Sequence, residues 1–227
     1  MHAIVVAAGS SRRMGFDKLL APLAGHSVLW HSVHALAKCA EVRRFTLVTR
    51  CGLVDEMRSL AESAALGKEV VVVEGGAERH LSVSAGIATL EEDGFVAIHD
   101  AARPLVTPAA VAGCLALARI TGAAACAAPV ADTLKRADDT GRVAGGVDRT
   151  GLWAMQTPQI FSNLLIREAY AQVLKEGALV TDEVSAVELL GRPVALYQNA
   201  DWNMKVTFPR DIALVEMVLA SRGGARS

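Results

Sequence analysis

The chain has 227 residues, 52% of them hydrophobic and 21% charged, with a formal net charge of -1. This composition excludes a disordered chain, and the near-neutral balance argues against a nucleic-acid binder or an acidic-membrane binder, which carry a basic face. The length fits one large domain, and no apolar stretch approaches the ~20 residues of a membrane helix.

Short β-branched runs alternate with longer helical stretches. Ile4–Ala8 is apolar without alternation, which predicts a strand covered on both faces. Ser27–Ala37 places Val28, Leu29, Val33 and Leu36 at a helical period. Phe45–Thr49 predicts a strand, Val54–Ala64 a helix, Val70–Val73 a strand, Leu81–Leu90 a helix and Phe95–Ile98 a strand. Thr107-Pro108 opens a helix to about Thr121, with Thr as the cap and Pro in the first turn. Ala123–Ala128 is the next strand.

Between Asp132 and Leu152 this rhythm fails. Asp139-Thr140-Gly141 marks a turn between two short extended pieces, which predicts a projecting β-arm with little core of its own. Such a hairpin is marginal alone and needs a partner surface. Ser162–Glu176 and Asp182–Leu190 then read as helices, Val194–Tyr197 as a strand and Pro209–Ser221 as a closing helix, with frayed residues beyond. The βαβ rhythm implies an α/β fold with a mostly parallel sheet and ligands at the carboxyl ends of the strands. No repeat or linker divides the chain, so residues 1–227 are expected to form a single domain.

Cysteines 39, 51, 114 and 126 form no CxxC pair and are expected as small buried thiols in a reducing cytoplasm. Met1 to Ile4 lacks a secretory pattern, so a cytoplasmic location is expected. His31 and His34 sit three apart on a helix without a third ligand at useful spacing, and are expected to pack. Packing is also the expectation for His99, Trp153 and Trp202. Asp182 and Glu183 suit a helix start and are read as mainly structural.

The first strand runs into Ala7-Ala8-Gly9-Ser10-Ser11-Arg12-Arg13-Met14-Gly15-Phe16-Asp17-Lys18. Small residues admit a ligand to the backbone, and the following cations suit a polyphosphate; a strand–loop with solvated surface charges is an equal reading of the segment taken alone. The segment is neither a P-loop nor a GxGxxG fingerprint, which argues against a nicotinamide-dependent oxidoreductase.

AAG followed by RM and then Lys resembles the start of sugar-phosphate and alditol-phosphate nucleotidyltransferases. Four further segments follow in order: HDAARP at 99–104, APVADTLK at 128–135, W153 with QTPQIF at 156–161, and TDE at 181–183 with Ser185-Ala186. NMKVT at 203–207 completes the series. The ordered set, over residues 3 to about 217, resembles the 2-C-methyl-D-erythritol 4-phosphate cytidylyltransferases of the non-mevalonate isoprenoid pathway.

The resemblance implies a three-layer Rossmann-like nucleotidyltransferase sheet, CTP as co-substrate, Mg²⁺, and a homodimer embraced by the arm at about 132–152. It also implies residue roles. Arg13 and Lys18 match transition-state cations, and Arg149 and Lys205 match cations that position the attacking phosphate. Ala7, Ala8 and Gly9 line the nucleotide, while Gly76, Arg79 and Ser82 belong to the segment closing over cytosine and phosphate. Asp100 is placed for a ribose hydroxyl or for the metal region, and the metal ligands stay unassigned. Arg103, Thr133, Thr157 and Thr181 match substrate contacts. The chain departs from the family between Met14 and Lys18, where the usual loop is longer and often has Pro before the Lys and Gln after it. Ribitol 5-phosphate is the alternative acceptor within the same chemistry, and a nucleotide-binding module without turnover is the alternative outside it.

Overall fold

A computed structural model of the chain describes residues 1–9, 15–91 and 93–224. The first half contains β1 (His2–Val6), β2 (Pro22–Leu23), β3 (His26–Ser27), α1 (Val28–Ala37), β4 (Arg44–Thr49), α2 (Val54–Ala64), β5 (Glu69–Glu74), α3 (Arg79–Ile87) and β6 (Phe95–Asp100). The second half contains α4 (Pro108–Thr121), β7 (Ala123–Pro129), β8 (Leu134–Ala137), β9 (Val143–Val147), β10 (Trp153–Ser162), α5 (Asn163–Glu176), α6 (Glu183–Glu188), β11 (Ala195–Gln198) and α7 (Pro209–Gly224).

Seven strands form one sheet in the order β11-β7-β10-β6-β1-β4-β5. Only β10 runs antiparallel to its neighbours; the other pairings in this sheet are parallel. The α/β class and mostly parallel sheet therefore agree with the pattern of the sequence. Ala3, Val5 and Ala7 point into a core shared with α1, α2 and α7, while Ile4 points into a core shared with α3, α5 and α6. That two-sided burial explains the lack of alternation in β1. At Gly86 a Cβ would meet Ile4 Cγ2 at 2.7 Å and Val48 Cγ2 at 3.0 Å, so glycine is what lets α3 lie this close to β1 and β4.

The helix starts follow their caps. Ser27, Thr107, Ser162 and Asp182 each accept a hydrogen bond from the N–H three residues on. Gly122 and Gly177, in the left-handed region, end α4 and α5.

One strand escaped the sequence pattern. β10 lies between β6 and β7, but Gln156-Thr157-Pro158-Gln159 breaks its apolar run. Proline is disfavoured in a central ladder; here the register against β7 shifts between Met155 and Gln159, which accommodates it. The expected arm is present as the antiparallel β8–β9 hairpin, and none of its residues is buried. Of the cysteines, 39, 114 and 126 are buried as expected, but Cys51 is exposed, in the turn that follows β4. Trp202 is 60% exposed and does not pack as expected.

The topology places the crevice. From β1 the chain winds outward through β4 to β5, then returns to add β6 on the other side of β1. Loops leaving the carboxyl ends of β1 and β6 therefore diverge, and open a cleft at this switch point.

Candidate active site

A cleft of about 320 Å³ occupies that position. Ala8 and Gly9 enter it from the end of β1, Lys18 and Leu19 from the following turn, and Gly76 to Arg79 from the β5–α3 connection. Asp100, at the end of β6, and Lys205, before α7, complete it with Ser82. A Cβ on Gly75 would stand 2.8 Å from Ala8 Cβ and 2.6 Å from Ser82 Oγ, so the two loops meet only because this residue lacks a side chain. Ser82 Oγ is the donor to Gly76 O (3.2 Å) or Glu78 O (3.1 Å) and ties the glycine loop to α3.

Asp100 is the electrostatic centre. Its carboxylate accepts from Lys205 Nζ at 2.8 Å, Arg79 Nη2 at 3.3 Å and Arg103 Nε at 3.5 Å. Burial favours the neutral acid, but Lys205 and Arg79 outweigh it and hold the carboxyl well below the usual carboxylate range. Arg79 is fixed from its other side by Glu183, through Nη1 to Oε1 at 2.6 Å and Nη2 to Oε2 at 3.2 Å. Burial works against this guanidinium, and Glu183 more than compensates, which raises its pKa. Lys18 Nζ donates to Val206 O at 3.0 Å, which brings it to the backbone beside Lys205.

The cleft thus gathers Ala8, Gly9, Lys18, Gly76, Arg79, Ser82, Asp100 and Lys205 of the expected site. Three expected residues stand behind it. Ala7 is 1% exposed and its side chain belongs to the core. Thr157 is buried, and its hydroxyl accepts the Asp100 N–H at 3.0 Å and meets His99 Nδ1 at 3.0 Å, so it supports Asp100 from below instead of facing a ligand. Arg103 donates to Asn203 O at 2.7 Å and to Met155 O at 3.4 Å, which locks the loop carrying Lys205 against β10. Burial lowers the pKa of Arg103, and Asp100 partly opposes that shift. Thr133, Arg149 and Thr181 are exposed and outside the cleft lining, and Arg13 lies outside the described residues.

Sequence reasoning gave no site role to Gln159 or Glu183. Gln159 Oε1 accepts from Glu183 N and Val184 N, both at 3.1 Å, and its Nε2 donates to Asp182 Oδ2 at 2.9 Å. It thereby aims the start of α6, and with it Glu183, at Arg79. His31 and His34 are half-buried, and their ring nitrogens meet the carbonyls of Leu23 and Ala64. Among the described residues no group of three or more His, Cys, Asp or Glu side chains could hold a metal.

His99 is fully buried, with Nε2 3.1 Å from Arg103 O. Since a carbonyl only accepts, Nε2 carries the hydrogen and Nδ1 takes the Thr157 hydroxyl proton. Burial lowers His99 to about 4, and His2, at the start of β1 and 2.8 Å from Thr46 Oγ1, also to about 4. In the unfolded chain both titrate near ~6.5 and bind more protons between these limits. Their stabilisation is therefore full above about pH 6.5, falls as pH drops toward about 4, and is level below that. The expected loss is on the order of 3 kcal/mol per histidine, readable as a falling urea midpoint from pH 7.5 to 4.5. A flat midpoint would refute it.

Fold and cleft combine a switch-point crevice, a glycine-lined backbone and cations converging on one carboxylate. The sequence profile of the 2-C-methyl-D-erythritol 4-phosphate cytidylyltransferase (IspD) family matches residues 1–221. The enzyme of that name from Ralstonia nicotianae is 42% identical, over 96% of this chain and 91% of its own. The one from Prochlorococcus marinus is 41% identical, over 98% of this chain and 99% of its own. The solved 4-diphosphocytidyl-2C-methyl-D-erythritol synthase from Anaerococcus prevotii superimposes with a TM-score of 0.83 at 26% identity, covering 96% and 97% of the two chains. The chain belongs to the 2-C-methyl-D-erythritol 4-phosphate cytidylyltransferase family, and is an enzyme of isoprenoid precursor synthesis. Among the described residues no helix is long and apolar enough to cross a membrane.

Proposed function

We propose that the cleft binds CTP and that a phosphate oxygen of 2-C-methyl-D-erythritol 4-phosphate attacks its α-phosphorus. The new O–Pα bond forms as the bond from Pα to the β-phosphate oxygen breaks. Pyrophosphate leaves, and 4-CDP-2-C-methyl-D-erythritol remains. The observation that carries this reading is the convergence of Arg79 and Lys205 on Asp100, in a cleft that Lys18 also lines, beside the open backbone of Ala8, Gly9 and Gly76. Negative charge grows on the α-phosphate and leaving group, and fixed cations answer it without a covalent intermediate. Lys18, with Arg13, stabilises that charge. Lys205 and Arg149 position the attacking phosphate. Backbone groups of the Gly76 loop read the cytosine amine, and a base lacking it leaves a buried acceptor unmatched.

Asp100 fits a magnesium site with few protein ligands: it is an ionised carboxylate at the cleft floor. When bound, Mg²⁺ would neutralise phosphate oxygens. Asp100 would then share its charge among the metal, Lys205, Arg79 and Arg103.

The β8–β9 arm, with Thr133 before it and Arg149 after it, supports a homodimer in which each arm completes the partner subunit's cleft. Arg149 is exposed and does not line the cleft of its own chain. Mixed Lys18→Ala and Arg149→Ala dimers are expected to regain activity, because one of their two clefts receives both wild-type residues. No recovery after proven subunit exchange would refute the shared site. The defining experiment is pyrophosphate release with CTP and Mg²⁺, comparing methylerythritol phosphate with ribitol 5-phosphate. Release with the first alone is expected. Release with ribitol 5-phosphate alone would keep the chemistry and overturn the acceptor.

A further inference from the structure

Beside the cleft lies an ion pair that the chemistry above does not use. Arg50 directly follows β4, at the carboxyl end of a central parallel strand. Its Nη2 donates to Asp17 Oδ2. Oδ1 of the same carboxylate accepts the Leu19 N–H at 3.1 Å, and the Asp17 carbonyl accepts the Leu20 N–H at 3.2 Å. One oxygen therefore closes the turn over Lys18, and the other ties that turn to the sheet. The far end is held as well: Leu19 is buried, and its carbonyl accepts the Leu29 N–H at 3.0 Å. Lys18, between these anchors, extends into the cleft to Val206 O.

Stability alone explains this pair poorly. The side chains are 34% and 18% exposed, and ion pairs in such places contribute ~0–1 kcal/mol. Arg50 Nε is also buried without a hydrogen-bond partner among the described residues, so this guanidinium is not optimised for its surroundings. Position is another matter. A lysine ends in a point charge on a flexible stem, and misplacing a reacting group by ~1 Å can cost up to ~10²-fold in rate.

We infer that Arg50 is a positioning residue: by holding Asp17 it sets the place from which Lys18 reaches the phosphates. This rests on the reading of Lys18 as a transition-state cation. An arginine acting only through Lys18 must lose its influence once Lys18 is gone.

The test measures pyrophosphate release by the full chain with CTP and methylerythritol phosphate, alongside thermal melts. The variants are Arg50→Met, Asp17→Asn, Arg50→Lys, Lys18→Ala and Arg50→Met with Lys18→Ala. Arg50→Met and Asp17→Asn are each expected to lower kcat roughly tenfold, with the KM for CTP within about twofold. Their Tm should stay within about 3 °C of wild type. Arg50→Lys should recover most of the rate, and Arg50→Met should cost nothing further in the Lys18→Ala background. Should Arg50→Met fail to fold, Asp17→Asn, alone and with Lys18→Ala, gives the same comparison. Wild-type kcat in both single variants would overturn the inference, as would losses that multiply in the double variant. Wild-type kcat in Lys18→Ala would overturn the reading of Lys18, and the inference with it; a Lys18→Ala loss with an independent Arg50 loss overturns the inference alone.

Discussion

Replacing Lys18 by alanine is expected to lower kcat by roughly 10²–10³-fold while leaving CTP affinity within a few-fold of wild type. The asymmetry follows from where charge appears. On the proposed reading, the glycine-lined backbone of the cleft already meets the triphosphate in the ground state. Charge that develops on the α-phosphate and leaving group during reaction needs a further cation, and Lys18 is held at the rim through Val206 O. A group that acts mainly on developing charge appears in kcat and little in binding. Steady-state pyrophosphate release, paired with calorimetric CTP titration, separates the two. An unchanged kcat removes Lys18 from the chemistry; a collapse of CTP affinity at constant kcat reassigns it to ground-state binding.

Glu183→Ala is expected to destabilise the fold by about 3 kcal/mol, a Tm drop of roughly 6–12 °C for a chain of this size. Glu183 is 0% exposed. Besides both Arg79 contacts, it accepts the Tyr170 hydroxyl at 3.2 Å. Burial and the neighbouring Glu183 charge push that phenol above its ordinary range, so Tyr170 stays a donor. Alanine removes the counter-charge and leaves a guanidinium and a hydroxyl facing a void. Glu183→Gln keeps the shape and some hydrogen bonding, and should cost about half as much. Scanning calorimetry of the two variants reads the order directly. A Glu183→Ala melt within about 2 °C of wild type would mean that Arg79 turns to solvent at no cost.

The two residues differ in how far the sequence reveals them. Lys18 follows the first strand in a segment of small residues and cations and takes its role from the family resemblance, while Asp100 follows an apolar strand. Loops at strand ends are local features, so charge after an apolar run is readable. Glu183 is separated from Arg79 by 104 positions, and Asp17 from Arg50 by 33. Those pairings exist only after the sheet has assembled, and no local pattern announces them. The same contrast governs the fold. Val54–Ala64 emerges as α2 with its expected limits, because its apolar positions repeat at a helical period. β10 does not emerge, because Gln156 and Gln159 spend their side chains on a neighbouring loop and helix and Thr157 spends its own on the end of β6, which erases the alternation that identifies a strand. Thr157 was expected to face a substrate for a related reason. It lies in the right motif, but its hydroxyl is turned toward the Asp100 backbone.

The contact between Lys205 and Asp100, at 2.8 Å, has a consequence for how a polyanion enters. Two of the cleft's cations are already engaged at rest: Lys205 leans on Asp100, and Arg79 on Asp100 and Glu183. An arriving phosphate therefore gains the attraction of Lys205 late, when that lysine exchanges one oxygen partner for another. Capture by such a site is a short-range event. Its association rate should respond to ionic strength much less than that of an enzyme with a bare basic funnel, where long-range steering dominates and salt slows encounter steeply. Selectivity would come with that exchange, since a ligand has to replace the carboxylate at close quarters to release the lysine.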